Sequence, residues 1–303
     1  MSELAVAAVA WYDAHARDLP WRAPDVSAWG VLVSEIMLQQ TQVDRVLPAW
    51  LSWMDRWPTP VALAAEPSGE AIRAWGRLGY PRRALRLHAC AGVIVARHGG
   101  EVPASLDDLL ALPGVGDYTA RAVAAFAYRQ RHPVVDTNVR RVIARAVGGA
   151  ADAGPTTTAA DLAAVERLLP PDPGLASRAS VAFMEIGALV CTARAPRCVA
   201  CPLAGVCVWR AVGPDDAGPA ASGRRVQRYA GTDRQVRGIL LAALRASDGP
   251  VPAARLDLLW PDAAQRGRAL SGLLEDGLAC EVSPGSYCLP GTFHASAGLA
   301  SAG

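Results

Sequence analysis

Four cysteines fall within 17 residues, as Cys191-x6-Cys198-x2-Cys201-x5-Cys207. Thiols crowded into so short a stretch oblige the chain to wrap around one centre. The spacing is that of ligands in a reducing compartment and not of a disulfide framework, since the chain's seven cysteines are an odd number. A structural zinc site usually shows two close Cys or His pairs, whereas this stretch has one close pair flanked by two single cysteines. Four thiolates at this separation can also hold a cubane iron–sulfur cluster. Spacing alone leaves zinc open. Arg194 and Arg197 lie between the first two cysteines, where a stiffened loop would present them to phosphates. Cys90, Cys280 and Cys288 lack such spacing and read as buried apolar residues.

The 303 residues suggest about two domains with a small third unit. With 51% hydrophobic and 19% charged residues, extended disorder is excluded. No apolar run is long enough to span a bilayer. Met1-Ser2-Glu3, soon followed by Asp13, His15 and Arg17, lacks the basic start of a secretory signal. All 30 basic residues are Arg. Without Lys, lysine Schiff-base chemistry and phosphate-loop lysines are closed to the chain. Arg clusters at 82, 83 and 86, at 140, 141 and 145, and at 224, 225 and 228 suit phosphates. A GC-rich composition, which also explains the abundant Ala, would produce the same clusters.

Apolar periodicity predicts helices over about 4–17, 28–40, 43–56, 69–78, 82–98, 105–111, 117–129, 137–147, 158–169 and 176–190. Residues 213–223 read as a linker rich in Gly, Pro and Asp. Beyond it come helices at 232–246, 252–260 and 263–276 and two short strands within 277–289, an order that resembles a winged helix. A tail from 291 is Ala-, Gly- and Ser-rich.

Two further segments carry chemistry. Leu112-Pro113-Gly114-Val115-Gly116 lies between two helical runs, so the glycines permit a tight turn and the next helix offers its N–H groups to an anion. Glu35 sits on an otherwise apolar helix in Ser34-Glu35-Ile36-Met37-Leu38-Gln39-Gln40-Thr41. Burial would keep such a carboxyl protonated near neutral pH, as a general acid requires, although pairing with a structural Arg is the alternative. Asp136 follows Gly116 by 20 residues and is placed to cap the helix at 137–147.

Over residues 10–210 these motifs together resemble the MutY-type adenine DNA glycosylases of the helix–hairpin–helix, endonuclease III-like superfamily. The resemblance implies a mainly α fold of two helical domains, with the winged-helix-like unit added. It places a cluster domain at 1–26 and 133–212, a six-helix domain with the hairpin at 27–132 and the added unit at 224–290. It makes Cys191, Cys198, Cys201 and Cys207 ligands of a [4Fe–4S] cluster. Glu35 becomes the acid that protonates adenine at N7, and Asp136 the anion that stabilises the sugar cation. Tyr118 stands where bifunctional relatives carry their lysine, with Asn138 as a supporting donor. Trp21 and Arg22 would line the adenine pocket, Gln40 and Tyr80 would wedge into the duplex, and Gly114 and Gly116 would grip phosphates.

The implied partner is mismatched double-stranded DNA. The implied setting is a monomer in the nucleoid-associated cytoplasm, its C-terminal unit open to a protein partner. Two positions depart from the family. Val181 replaces a polar residue that helps to read adenine, and residues 224–290 do not read as the usual Nudix-like domain that probes 8-oxoguanine. A poor echo of that domain's probing loop, Phe293-His294-Ala295-Ser296, lies in the tail. A thymine or uracil glycosylase acting opposite G, and a non-catalytic iron–sulfur DNA-binding module, therefore stand as alternatives.

Overall fold

The computed structural model describes residues 2–213 and 229–293. Most of the expected linker, the Arg224, Arg225 and Arg228 cluster, and the tail from 294 lie outside the described residues. In chain order the helices are α1 (Glu3–His15), α2 (Ala28–Leu38), α3 (Val43–Arg56), α4 (Pro60–Ala64), α5 (Ser68–Trp75), α6 (Arg82–His98), α7 (Leu106–Leu110) and α8 (Asp117–Phe126). They continue as α9 (Thr137–Ala146), α10 (Ala159–Leu168), α11 (Pro173–Leu189), α12 (Val208–Val212), α13 (Asp233–Arg245), α14 (Ala253–Asp257) and α15 (Ala263–Glu275). Among the described residues there are also three short strands, β1 (Val251–Pro252), β2 (Cys280–Ser283) and β3 (Ser286–Cys288), and the fold is mainly helical. None of the described helices is long and apolar enough to cross a membrane.

The chain divides into two compact units. The first comprises residues 1–35, 104–111 and 115–224. Its central helix is α11, which packs on α1 and α9. Ala176, Ala179, Ala182, Phe183 and Ile186 bury one side of it against Ala5, Ala8, Val139 and Val142. Small residues set the spacing. A Cβ at Gly187 would lie 2.7 Å from the Cβ of Asn138, so only glycine lets α11 come this close to the start of α9. Side-chain caps fix the helix starts, with Asp136 capping α9 and Asp172 capping α11.

The second unit comprises residues 36–103, 112–114 and 225–303. Trp53 is its hub, packed edge-on against Trp57 and Trp75 with ring centroids 4.7 and 5.8 Å away. Its C-terminal part runs α13, β1, α14, α15, β2, β3, with the antiparallel sheet ordered β1-β3-β2. The three helices and the two final strands follow the order expected from the sequence, whereas β1 was not expected, because two residues show no strand alternation. This part is docked on α5. Arg245, at the end of α13, donates to the carbonyls of Ile72 and Gly76, while Arg73 donates back to those of Arg245 and Ser247. Farther along, the Gly69 N–H donates to the Pro290 carbonyl at 2.8 Å.

Gly69 makes the docking testable. An alanine Cβ there would fall 2.5 to 2.8 Å from Thr292, Pro290 and Leu289. In open space Gly→Ala inside a helix stabilises by about 1 kcal/mol, whereas forcing an extra carbon into a packed contact costs about 1–3 kcal/mol. Gly69→Ala is therefore expected to lower the urea midpoint. A raised midpoint would mean that the 289–292 segment does not sit on α5.

Candidate active site

The first unit brings three candidate catalytic groups together. Helix α2 starts where the Ser27 hydroxyl accepts the Gly30 N–H at 3.1 Å, and its apolar sequence buries it. That carries Glu35 inside, at 7% exposure. Tyr118, in the first turn of α8, hydrogen-bonds the Glu35 carboxyl. Burial raises the Glu35 pKa to about 7, and the neighbouring Asp136 adds to the rise while the Tyr118 bond and Arg22 oppose it. Burial, together with Glu35 and Asp136, holds the Tyr118 phenol well above its ordinary range, so it stays a donor.

Asp136 is differently supported. Its Oδ1 accepts the Val139 N–H at 2.7 Å and its Oδ2 accepts from Asn138 Nδ2 at 2.9 Å. Burial raises its pKa, and these donors together with Arg141 counter the rise. Capping and anion placement thus coincide in one side chain.

Arg22 and Trp21 belong to a short 3-10 turn over Pro20–Arg22. Trp21 is buried. Arg22 Nη2 is held 2.9 Å from Glu185 on α11. The same carboxylate takes two bonds from the Arg17 side chain, both 2.7 Å, and the Arg17 N–H at 3.0 Å. Arg22 Nη1 is buried with no protein partner. Glu185 was not singled out in the sequence, although an acid on an apolar helix was the very signal that marked Glu35. Val181 lies one helical turn before it and is half-buried.

The cysteine loop is fastened to α9 by buried arginines. Arg141 donates to the carbonyls of Cys191 and Gly187 and to Asn138 Oδ1, each at 2.7 Å. Arg145 donates to the Thr192 carbonyl at 2.8 Å, lies 3.5 Å from the Cys191 sulfur and stacks on Trp209. The 140, 141 and 145 cluster is thus spent on internal partners and not on phosphates, because its side chains face the packed side of α9. Cys191, Cys198, Cys201 and Cys207 line one cavity with Arg145 and Arg197. Among the described residues no group of three or more His, Cys, Asp or Glu converges as a site for a metal ion. Four thiols around a shared cavity fit the broader iron–sulfur cluster, with Arg145 balancing thiolate charge.

Gln40 and Tyr80 lie in the second unit, and each has a left-handed backbone, with φ of 55° and 46°. Such conformations are strained for residues with a side chain and collect at functional sites. Arg83 holds both, donating to the Gln39 carbonyl and Gln40 Oε1 and stacking 4.5 Å over the Tyr80 ring. Arg234 of α13 lies 5.8 Å over the same ring. In the turn before α8, Gly114 takes a φ of +80°, and Gly116 is the N-cap with open space beside it.

Burial alone would raise the Glu185 pKa, but the Arg17 and Arg22 bonds outweigh it and bring it to about 2. A depressed carboxylate contributes stability above its unfolded pKa, and that contribution fades as pH falls towards the folded value. Stability is expected to drop between about pH 4.5 and 2 through this group, and Glu185→Gln to flatten the drop while lowering stability at pH 7. Urea midpoints measured across that range check it.

Comparison with known proteins agrees with this geometry. Residues 33–167 match the HhH-GPD superfamily of base excision DNA repair proteins. Residues 191–207 match the iron-sulfur binding domain of endonuclease III, and the cofactor of this loop is a [4Fe–4S] cluster. An adenine DNA glycosylase of Mycolicibacterium smegmatis is 58% identical over 96% of this chain and 97% of its own length. Among solved structures, a thermostable thymine-DNA glycosylase superposes with a TM-score of 0.62 at 26% identity, over 69% of this chain and 95% of its own. An endonuclease III–DNA covalent intermediate reaches 0.58 at 23% identity, over 69% and 94%, and shows the shared fold. By these similarities the chain belongs to the adenine DNA glycosylase family of helix–hairpin–helix base excision repair proteins.

Proposed function

We propose that this protein hydrolyses the N-glycosidic bond of adenine mispaired with 8-oxoguanine or G in double-stranded DNA, without cutting the strand. The observation that carries the reading is the Glu35–Tyr118–Asp136 group, with one carboxyl poised near neutrality and the other capped by N–H donors. A base within a duplex must leave the stack to be reached. Gln40 and Tyr80, held in strained conformations by Arg83, are the side chains to fill the gap. Trp21 and Arg22 bound the pocket, and the partnerless Arg22 Nη1 supplies a donor to the base.

Protonated Glu35 gives its proton to adenine N7, which turns the base into a neutral leaving group. Asp136, anionic and fixed by Val139 and Asn138, stabilises the oxocarbenium-like sugar. Water adds at C1′ and leaves an abasic site. The chain has no Lys, so β-elimination through a lysine imine is closed. Glycines 114 and 116 at the start of α8 hold backbone phosphates through N–H groups. Cys191, Cys198, Cys201 and Cys207 would hold the cluster, which would stiffen the loop that carries Arg194 towards phosphates. The protein acts as a monomer.

Base release is tested on duplexes carrying A opposite 8-oxoguanine, G, C or T, and T or U opposite G, with hot alkali to reveal abasic sites. Breakage confined to A opposite 8-oxoguanine or G is expected. Release of T or U would give Val181, one helical turn before Glu185 on α11, its meaning and move the chain to the mismatch thymine/uracil branch. Glu35→Gln is expected to cut release by roughly 10²–10⁴-fold while sparing binding, the range for loss of a general acid. Binding without release in the unaltered protein would leave a non-catalytic module.

The pH profile is a separate check. Activity that needs protonated Glu35 should fall tenfold per pH unit above about 7. The Tyr118 hydroxyl lowers the Glu35 pKa, so Tyr118→Phe should move that limb to higher pH. A limb that stays in place would mean that Glu35 is not the titrating acid.

A further inference from the structure

The three cysteines outside the cluster loop are not alike. Cys90 is buried in α6, and burial pushes its thiol up to about 12. Cys280 and Cys288 instead face each other across β2 and β3. They are directly opposed in antiparallel register, and their sulfurs are 3.1 Å apart. Both are free thiols. Residues opposed in this way have Cα atoms about 4.5–5.5 Å apart, within the roughly 4.4–6.8 Å that a disulfide spans. Bond formation then needs only about 1 Å of closure towards an S–S length near 2.05 Å, which side-chain rotation supplies. Reading Cys280 as a buried apolar side chain is therefore corrected, whereas Cys288 is buried as expected. Cys280 is partly exposed, and only Cys288 is buried.

The strand that carries Cys288 leads straight into the docking segment. Leu289, Pro290 and Thr292 close over Gly69, and the Gly69 N–H donates to the Pro290 carbonyl. Cys280 Sγ also lies within reach of the Cys288 and Leu289 carbonyls, at 3.6 and 3.7 Å. The thiol pair therefore sits at the root of the contact that seats the C-terminal part on α5.

We propose that Cys280 and Cys288 are a redox modification site, forming a reversible disulfide that pins the β2–β3 hairpin and tightens the seat of residues 289–292 on α5. The oxidant is a peroxide. Cys280, the exposed partner, attacks one peroxide oxygen as the thiolate, breaks the O–O bond and becomes a sulfenic acid with release of water. The Cys288 thiol then attacks the Cys280 sulfur, forms the S–S bond and expels the hydroxyl as a second water. Two thiols and one hydrogen peroxide give one disulfide and two waters, the sulfurs losing the two electrons that the oxygens gain. A dithiol reverses the step by exchange. Burial and the Cys280 contact hold the Cys288 thiol at about 11, so it waits as the resolving partner. Within a reducing compartment such a bond is transient, which suits a sensing role.

The test uses the cluster-loaded protein and is independent of its substrate. After a modest excess of hydrogen peroxide, the chain is unfolded in iodoacetamide, digested with trypsin and weighed. The peptide holding both cysteines should be unalkylated and lighter by two hydrogens, while Cys90 is alkylated. Dithiothreitol should restore alkylation at both positions. Amide exchange in the peptide around Gly69 should slow severalfold on oxidation and recover on reduction, a recovery that separates the effect from damage to the cluster. Cys280→Ser and Cys288→Ser should each abolish both signals. Full alkylation after peroxide, or a sulfinic acid on Cys280 beside an alkylated Cys288, overturns the disulfide. A disulfide that leaves Gly69 exchange unchanged overturns the pinning.

Discussion

Much of the first unit hangs on the Arg141 guanidinium. One side chain bonds the carbonyl of Cys191, where the cluster loop begins, the carbonyl of Gly187, where α11 passes closest to α9, and the amide of Asn138. Asn138 in turn donates to Asp136. A buried cation is tolerable only when its donors are satisfied, and here each acceptor belongs to a different part of the architecture. The cluster loop, the helix crossing and the anionic end of the site are thus tied to one planar group. Lysine would not serve there, because a point charge lacks the fork that spans these acceptors. Asp136 therefore owes its fixed position to more than its own cap. The cysteine loop and the Asp136 carboxylate are two ends of one network.

Two buried glutamates show how the fold sets chemistry through partners alone. Glu35 and Glu185 both occupy apolar helices, and burial pushes both pKa values up. Glu185 meets two arginines and falls to about 2, whereas for Glu35 burial and the Asp136 charge outweigh the Tyr118 bond and Arg22, and it rises to about 7. One is held as an anion and the other is poised near neutrality, a division that marks acid and base roles in many sites. Arg22 belongs to both environments. Glu185 orients it, and its charge tempers the Glu35 rise. Were Arg22 free to pair with Glu35 directly, the acid would be lost at neutral pH.

The helical frame was legible in the sequence because its signals are local. Asp136 before Thr137, Asp172 before Pro173 and the breakers at 112–116 are read within a few residues, and the helices fall within a few residues of where periodicity puts them. The short α4 and α12 were not seen. Glu35, Asp136 and Tyr118 were legible for a different reason, as members of spaced motifs. What the sequence hid was pairing across long separations. Arg17 reaches Glu185 across 168 residues and Arg245 reaches Ile72 across 173, and nothing in either neighbourhood names the partner. The cluster at 140, 141 and 145 looked like phosphate ligands because composition cannot tell a buried fork from an exposed one.

Backbone strain was equally invisible. Gln40 and Tyr80 were singled out by resemblance, yet neither residue type asks for a left-handed φ. Their strain persists because Arg83 engages both, through the Gln40 amide and the Tyr80 ring. Arg83 itself loses solvent in doing so, and burial with Arg86 nearby lowers its pKa. A strained pair held by one desolvated cation is costly unless its geometry is used. A side chain projected from a left-handed residue stands away from its own chain, the placement that the proposed insertion into a duplex would use. The same Tyr80 ring also meets Arg234 of α13, so the C-terminal part, docked through Arg245 and Gly69, contacts this strained aromatic too. The small added unit thereby has a physical role that requires no reading of bases: it holds a strained aromatic in place.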